Sequence, residues 1–278
     1  MTIGFIGQGF IGRAYADDFE ERGYDVVRYA AEEQYLSNRE KIAECDMVFI
    51  AVPTPTTPAG FDFSIVREVL ALVGEGKIAV IKSTVLPGTT ELLQAEYPKL
   101  YLMHSPEFLV AKSALNDARK PLRNIVGYTT RSKDKVDEVL AILPTAPYTQ
   151  SLPVKEAELV KYMGNLFLAQ KVIFANLMYD VSEKLGIDYQ MVQEAVGADP
   201  RINPSHLAIS HDGGRGAGGY CFIKDLAAFA DFYARQLPED TDGIKIFNAL
   251  EEKNISLLIN SKKDLELLSG VYGEFGEK

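Results

Sequence analysis

The sequence has few cysteines and no long apolar run, and both scarcities narrow its class. Its 278 residues include two cysteines, Cys45 and Cys221, which are too few for a disulfide framework. The N-terminus lacks the basic segment of a signal peptide, so the cysteine usage predicts a reducing, cytoplasmic location. No apolar run approaches the ~18 residues of a membrane-spanning helix, so no membrane association is expected.

Positive charge is also scarce. There are 29 Lys and Arg residues against 39 Asp and Glu residues, which gives a net charge of −10. An acidic surface repels phosphate backbones, so no nucleic acid is expected as a partner. The three histidines show no metal-ligand spacing, and Cys221 has no second cysteine nearby, so no metal is predicted. Hydrophobic residues make up 47%, which is enough for the core of one large or two ordinary domains.

Two kinds of pattern divide the chain. Residues 1–150 alternate strand and helix patterns, which predicts an α/β domain: a doubly wound parallel sheet of the Rossmann type. From residue 151 the strand patterns stop, so residues 151–278 are predicted to form an all-α domain on one long helix, Glu156–Leu185. Apolar residues cover most of this helix, and such a helix must be buried on all sides. A second copy of the chain would complete the cover, so the pattern predicts a homodimer through residues 156–185.

A glycine-rich turn between the first strand and the first helix is the first candidate site. It reads GQGFIG over residues 7–12, the fingerprint of a dinucleotide-binding turn in its required strand–turn–helix context. The glycines allow a tight turn, close approach of a pyrophosphate and close packing of helix on strand. A glycine turn that binds nothing is the alternative. The predicted cofactor contacts here are Gly7, Gly9, Phe10, Ile11 and Gly12.

The end of the second strand bears on which dinucleotide binds. An acidic residue that would hold the ribose is expected there, and the position is occupied by Ala30. Arg28 is close enough to suggest a 2′-phosphate contact, but an exposed strand arginine is the favoured interpretation. The predicted cofactor is therefore NAD, with NADP left open.

Two more loops follow apolar strands and should lie at the carboxyl edge of the sheet, where ligands bind in doubly wound folds. They read VPTP over residues 52–55 and STVLPGT over residues 83–89. Proline fixes such loops, and serine and threonine supply hydroxyl groups. Ordinary turn chemistry explains them equally well. The cofactor contacts predicted in these loops are Val52, Pro53, Thr54, Ser83 and Thr84.

The long helix carries a lysine and an amide one turn apart. Lys161 and Asn165 share a face of an otherwise apolar helix, where polar groups are costly unless they have partners. An ammonium and an amide together suit the charge that develops on a carbonyl or alkoxide oxygen. The alternative is a surface pair between Lys161 and Glu158, with Asn165 in solvent.

Cys221 is the candidate nucleophile. It follows a glycine-rich segment and opens a predicted helix over Phe222–Ala234. A thiol at a helix N-terminus near Lys224 has a lowered pKa, and Asp225 lies one turn on along the same face. A buried, inert thiol is the alternative, and it suits Cys45.

In combination these motifs resemble the nucleotide-sugar 6-dehydrogenases, which oxidise UDP-glucose or GDP-mannose. The matching segments run in the family's order from Gly4 to Asp225: GFIGQGFIG, AVPTPTT, KSTVLPGTT, SPEFL, EAELVKYMGN, ADPRI and GGYCFIKD. The resemblance implies that an alcohol is oxidised to a carboxylate with two NAD⁺. It implies that Cys221 forms a thiohemiacetal and then a thioester, and that Lys161 and Asn165 stabilise the oxyanion. Thr84, Asp225 and Glu107 match groups that organise water.

This sequence departs from the family pattern at Ala111, where a second glutamate is usual, and in ending at Lys278, where relatives continue into a second Rossmann-like domain. The expectation is therefore a short form whose substrate is a nucleotide sugar resembling UDP-glucose. Two alternatives stay open. One is a two-electron 3-hydroxy-acid dehydrogenase, which needs no thiol nucleophile. The other is a non-catalytic NAD-binding relative.

Overall fold

The structure is a computed structural model that describes residues 1–274. The chain forms two compact units. The first comprises Met1–Thr54 and Asp62–Lys161, and the second comprises Pro55–Phe61 and the chain from Tyr162 onward. The division falls inside one continuous helix, so its first turns belong to the first unit and the remainder to the second.

Strands and helices alternate through the first unit, and helices predominate in the second. Within residues 1–274 the strands are β1 (Thr2–Ile6), β2 (Asp25–Tyr29), β3 (Met47–Ile50), β4 (Thr56–Thr57), β5 (Gly60–Phe61), β6 (Ile78–Ile81), β7 (Tyr101–His104), β8 (Arg123–Tyr128) and β9 (Tyr148–Pro153). The α-helices are α1 (Phe10–Glu21), α2 (Glu33–Leu36), α3 (Ser64–Leu70), α4 (Thr89–Glu96), α5 (Ala114–Arg119), α6 (Val136–Ile142), α7 (Val154–Leu185), α8 (Tyr189–Gly197), α9 (Gly219–Gln236), α10 (Thr241–Ser261) and α11 (Leu265–Tyr272).

A seven-stranded sheet in the order β2-β1-β3-β6-β7-β8-β9 forms the centre of the first unit. Its pairs are parallel except that β8 runs antiparallel to β7. This confirms the predicted α/β fold of the Rossmann type, with one reversed strand that the pattern did not reveal. The carboxyl ends of β1, β3 and β6 are adjacent, so the loops after these strands meet at one edge.

Alternate residues of the central strands face a common core. The ring of Phe5 in β1 stacks on Phe49 in β3 at 5.2 Å between centroids, and both rings contact Phe19 of α1 edge-on at 5.3 and 5.4 Å. All three side chains are buried. Such aromatic pairs add to the free energy gained from burial, so they fix α1 firmly against the sheet.

Helices form most of the second unit, as predicted, and the short β4–β5 hairpin completes it. Helix α7 begins at Val154, two residues before the predicted start, and ends at Leu185. The buried residues Ile223, Leu258 and Leu268 join α9, α10 and α11 in one cluster. No helix among residues 1–274 has the length and apolar character needed to cross a bilayer.

Candidate active site

The glycine turn has the shape that its sequence predicts. Gly7 has a φ of +91°, and a Cβ there would lie 2.2 Å from the carbonyl oxygen of Ala51. A Cβ on Gly12 would lie 1.9 Å from the carbonyl oxygen of Gly7. A Cβ on Gly9 would meet nothing within 4 Å, so open space lies where a pyrophosphate would approach. No side chain caps the start of α1 at Gly9, which leaves N–H groups for an anion.

Arg28 does not stand in solvent as expected. Its guanidinium donates hydrogen bonds to Asp17 at 2.7 Å and to Glu20 at 2.7 and 3.0 Å, and its side chain is only 15% exposed. Two carboxylates therefore neutralise its charge. Ala30 is buried, so neither residue offers a charged group to a ribose or a 2′-phosphate. This arrangement fits NAD better than NADP.

The two loops at the carboxyl edge are tied to each other. Ser83 Oγ accepts a hydrogen bond from the N–H of Val52 at 3.0 Å and donates one to the carbonyl of Val52 at 2.7 Å. Thr54 Oγ1 donates to the carbonyl oxygen of Thr84 at 2.7 Å. Two of the hydroxyl groups predicted to contact the cofactor are thus engaged in joining the loops. Thr84 itself is only partly buried.

Lys161 has a buried carboxylate as its partner. Its Nζ donates to Oε1 of Glu107 at 2.7 Å and to the carbonyl oxygen of Glu107 at 2.9 Å. The other carboxylate oxygen accepts the N–H of Leu109 at 2.7 Å. Both side chains of the ion pair are nearly inaccessible. The structure thus joins two residues that the sequence marks as separate candidates, and the pairing of Lys161 with Glu158 is not observed.

Glu158 instead holds the start of α4. Its carboxylate accepts the N–H of Gly88 at 2.6 Å and the N–H of Thr90 at 2.8 Å. Glu158 is fully buried, and burial raises its pKa to about 7, although the two hydrogen bonds oppose that rise. It therefore ties the loop that carries Ser83 and Thr84 to the first turns of α7.

A second lysine, Lys82, lies near the ion pair of Lys161 and Glu107. Lys82 is buried, donates to Ser105 Oγ at 3.1 Å, and lies 4.2 Å from the ring centre of Tyr15. Burial lowers its pKa to about 7, partly offset by Glu107. Burial, with the charges of Lys82 and Lys161, lowers the pKa of neighbouring His104 to about 3, so this histidine is neutral. Sequence reasoning missed this group. The one signal for it is a lysine directly after an apolar strand.

Cys221 lies in the first turn of α9, which begins at Gly219 rather than at the predicted Phe222. Its side chain is partly exposed, whereas Cys45 is buried. Burial raises the pKa of Cys45 to about 11, so that thiol is inert at neutral pH. The contrast in exposure agrees with the roles predicted for the two cysteines.

One turn after the cysteine, Asp225 joins the two most specific sequence motifs. Its Oδ2 accepts a hydrogen bond from Nδ2 of Asn165 at 2.6 Å, and Oδ1 accepts one from Lys224 at 2.5 Å. Burial alone would lower the pKa of Lys224, but the carboxylate of Asp225 outweighs it and raises that pKa. Asn165 is therefore anchored, not solvated. No group of three potential metal ligands occurs among residues 1–274.

Comparison with known proteins agrees with this arrangement. Residues 29–143 match the NAD binding domain of the UDP-glucose/GDP-mannose dehydrogenase family, and residues 155–255 match its central domain. A UDP-glucose dehydrogenase structure from Pyrobaculum islandicum is 31% identical, with a TM-score of 0.76 over 90% of this chain and 68% of that one. This chain belongs to the UDP-glucose/GDP-mannose dehydrogenase family. Membership confirms the resemblance found in the motifs and indicates NAD as the cofactor.

Two further matches differ in how much of their length this chain covers. UDP-glucose 6-dehydrogenase AglM of Haloferax volcanii is 30% identical over 82% of this chain, which spans only 64% of that protein. The chain thus covers less than two thirds of this curated relative. The 3-hydroxyisobutyrate dehydrogenase of Mycobacterium tuberculosis matches over 98% of both chains with a TM-score of 0.71. At 17% identity, this match shows a shared fold alone.

Proposed function

We propose that this protein oxidises the primary alcohol of a nucleotide sugar to the carboxylate, with NAD as the oxidant and Cys221 as the nucleophile. The observation that carries the proposal is the hydrogen bond between Asn165 and Asp225. It links the lysine–asparagine motif to the cysteine motif across 60 residues of sequence. A two-electron dehydrogenase has no need of a partly exposed thiol one turn before that carboxylate.

The first oxidation turns the alcohol into an aldehyde. A dinucleotide held at the turn of Gly7, Gly9 and Gly12 would supply the hydride acceptor, and the two oxidation steps would need two NAD⁺ molecules in succession. The hydroxyl proton leaves to water, which Asp225 and Thr84 are proposed to orient. The ammonium of Lys161 stabilises the alkoxide, and Glu107 fixes that ammonium through two hydrogen bonds.

The thiol makes the second oxidation possible. The thiolate of Cys221 adds to the aldehyde carbon, and protonation of the oxygen gives a thiohemiacetal. Loss of a second hydride from that carbon, and of the hydroxyl proton to water, gives a thioester. Water then attacks the carbonyl carbon, the C–S bond breaks, and the carboxylate and the thiol are released. Asn165 donates to the oxyanion in these steps.

A homodimer through α7 is part of the proposal. The apolar side chains that α7 exposes include Met163, Phe167, Phe174, Val181 and Leu185. Helix α8, next in the chain, also exposes apolar side chains, among them Met191, Val192 and Val196. A surface of this kind on one helix is typical of a two-fold interface. The double variant Phe167→Glu, Phe174→Glu should be monomeric by light scattering. Leu122→Glu, an exposed leucine of the first unit, is the control that should stay dimeric.

The number of NADH molecules formed per product tests the reaction. The purified protein is given NAD⁺ and a panel of nucleotide sugars, with free glucose as a comparison, and NADH and acid are counted together. Two NADH for each acid are expected. One NADH per product would move the protein to the two-electron class. No turnover with any alcohol, despite NAD⁺ binding, would favour a non-catalytic relative.

Variants separate the roles of the residues. Cys221→Ser should stop acid formation, because a serine hydroxyl attacks less readily than a thiol at neutral pH and its alkoxide is a poor leaving group. Cys45→Ala should retain acid formation. Lys161→Ala should slow both oxidations roughly a hundredfold, which is the usual effect of removing one oxyanion donor. Acid formation at the full rate by Cys221→Ser would contradict the thioester route. The cytoplasmic location stays a prediction.

A further inference from the structure

The glycine-rich loop before Cys221 is held by side chains from the C-terminal half of α10. Oδ1 of Asn254 accepts the N–H of Ala217 at 2.8 Å, and its Nδ2 donates to the carbonyl of the same residue at 3.0 Å. Oγ of Ser261 accepts the N–H of Arg215 at 3.0 Å. Asn254 is buried, so these bonds are shielded from water. The loop is therefore fixed by specific side chains and not by its own sequence, which is rich in glycine.

The turn between α10 and α11 extends this support up to the first residue of α9. Lys263 is buried and donates to the carbonyl oxygen of Gly216 at 3.1 Å. Oδ2 of Asp264 accepts the N–H of Gly219 at 2.7 Å. A Cβ on Gly218 would lie 2.2 Å from that same carboxylate oxygen. The carboxylate thus lies directly against the backbone at the point where α9 begins.

Asp264 adopts an unusual backbone to reach this position. It precedes α11 as its N-cap residue, where aspartate normally accepts an N–H of its own helix, yet it makes no such bond. Its φ is +53°, in the left-handed region that few residues other than glycine adopt. Helix α9 cannot be capped by its own N-cap residue, because Gly218 has no side chain. The carboxylate of Asp264 caps α9 in place of α11.

We propose that Asp264 is a positioning residue that holds the first turn of α9 and thereby orients the thiol of Cys221. Gly219 is the first residue of α9, so Cys221 is two residues beyond the bond that Asp264 accepts. If that bond is lost, the first turn frays, and the thiolate loses the N–H groups that stabilise it at a helix start. The left-handed backbone at Asp264 is strained, and this strain is tolerated because it places the carboxylate that holds the first turn of α9. This inference rests on the proposed nucleophilic role of Cys221.

Two substitutions separate the hydrogen bond from the charge. Asp264→Asn keeps an oxygen that accepts the N–H of Gly219 and removes the negative charge. Asp264→Ala removes both. The titratable groups around the thiol, Tyr220, Lys224 and Asp225, are the same in the two variants, as is Lys263 beside residue 264. A difference between the two variants therefore reports the hydrogen bond together with the strain that alanine, unlike asparagine, meets at a φ of +53°. Asp264→Gly lacks the acceptor without that strain, so it isolates the hydrogen bond and should behave as Asp264→Ala.

The readout is the alkylation of Cys221 by iodoacetamide, followed by mass spectrometry across pH 6 to 10, with Cys45 as the internal reference for global unfolding. We expect the pH midpoint in Asp264→Ala to lie above that in Asp264→Asn. We also expect Asp264→Ala to lower kcat about tenfold with an unchanged KM for NAD, and Asp264→Asn to restore kcat. Gly218→Ala, which displaces the same carboxylate, should behave as Asp264→Ala.

Asp188→Ala is the matched control. Asp188 caps α8 of the same unit by accepting the N–H of Gln190 at 2.9 Å, so this variant loses a similar bond away from α9. It should leave the alkylation midpoint of Cys221 unchanged. Equal midpoints in Asp264→Ala and Asp264→Asn would overturn the inference. An inactive wild type would refute the proposed function, while the alkylation comparison would still test the position of the thiol.

Discussion

The starts of α4 and α9 are built in the same way in two different units. Each helix follows a glycine N-cap, Gly88 or Gly218, which has no side chain to accept an N–H. Each receives a carboxylate from much later in the chain: Glu158, 70 residues after Gly88, and Asp264, 45 residues after Gly219. Candidate site residues lie close to each start: Ser83 and Thr84 in the loop before α4, and Cys221 in the first turn of α9.

The two caps differ in burial, and burial decides what each contributes. Glu158 is fully buried and accepts two N–H groups, whereas Asp264 is partly exposed and accepts one. A buried N–H that loses its acceptor cannot turn to water, so its loss is costly. An exposed N–H can bind water instead. The buried cap therefore stabilises the fold, and the partly exposed cap is suited to setting local geometry.

Glu158→Ala should have the largest effect. It leaves the N–H groups of Gly88 and Thr90 without their acceptor inside the first unit, which should lower the free energy of unfolding by roughly 2–4 kcal/mol. Urea unfolding measures this. Glu156→Ala, at an exposed position of the same helix, is the control and should change stability by less than about 0.5 kcal/mol. Equal losses of unfolding free energy in the two variants would show that Glu158 contributes no more to stability than an exposed residue does.

The second largest effect expected is on the pH dependence of stability, to which Glu158 should contribute. Its pKa is about 7 in the folded protein against 4.5 for an ordinary glutamate, so between these values the folded state binds more protons. Stability should therefore fall as pH rises through this window, by up to about 1.4 kcal/mol per pH unit. Glu158→Gln should lose this slope, while Glu251, whose pKa burial also raises to about 7, contributes equally to both proteins. Identical slopes in wild type and variant would contradict the assignment.

Asp188→Ala measures how much stability is lost when an ordinary surface cap is removed. This aspartate accepts an N–H of its own helix, α8, and lies at the surface. Its loss should cost about 1 kcal/mol, well below the loss expected for Glu158→Ala. Thermal unfolding of the two variants side by side gives the comparison. A loss as large as that of Glu158→Ala would show that burial does not govern the strength of a cap.

The smallest expected effect is an increase in the free energy of unfolding. Lys262 ends α10 with a φ of +57°, a conformation that glycine adopts without strain. Lys262→Gly should therefore raise the free energy of unfolding by about 0.5 kcal/mol. Lys245→Gly, inside the same helix, should instead lower it by about 1 kcal/mol. A loss of stability in both variants would show that the left-handed backbone at Lys262 carries no strain.

Local patterns predicted the parts of the fold that depend on neighbouring residues. The apolar strands β1, β3 and β6, the glycine turn and the long helix α7 all repeat with a period or a motif that can be read within a few residues. Strand β9 was missed because its residues are mostly exposed and show no apolar run. The reversal of β8 was missed because a strand's direction depends on its connection, not on its composition.

The candidate site was predictable as a set of residues but not as a set of partners. Lys161, Asn165 and Asp225 were marked by their chemistry, yet the bonds of Lys161 to Glu107 and of Asn165 to Asp225 span 54 and 60 residues. No local pattern indicates such pairs. Glu158 and Asp264 look like ordinary surface acids in the sequence, because what distinguishes them is the glycine helix start that each one reaches.

The position of Asp264 also has a consequence for the order in which the protein is made. A chain folds from its N-terminus as it leaves the ribosome. Helix α9 emerges with Cys221 in its first turn, but the carboxylate that caps that turn is translated 45 residues after Gly219. Until then the cysteine sits on an uncapped, fraying helix end. We therefore expect the first turn of α9, with the thiol of Cys221, to be less ordered in a nascent chain that has not yet reached Asp264 than in the finished fold.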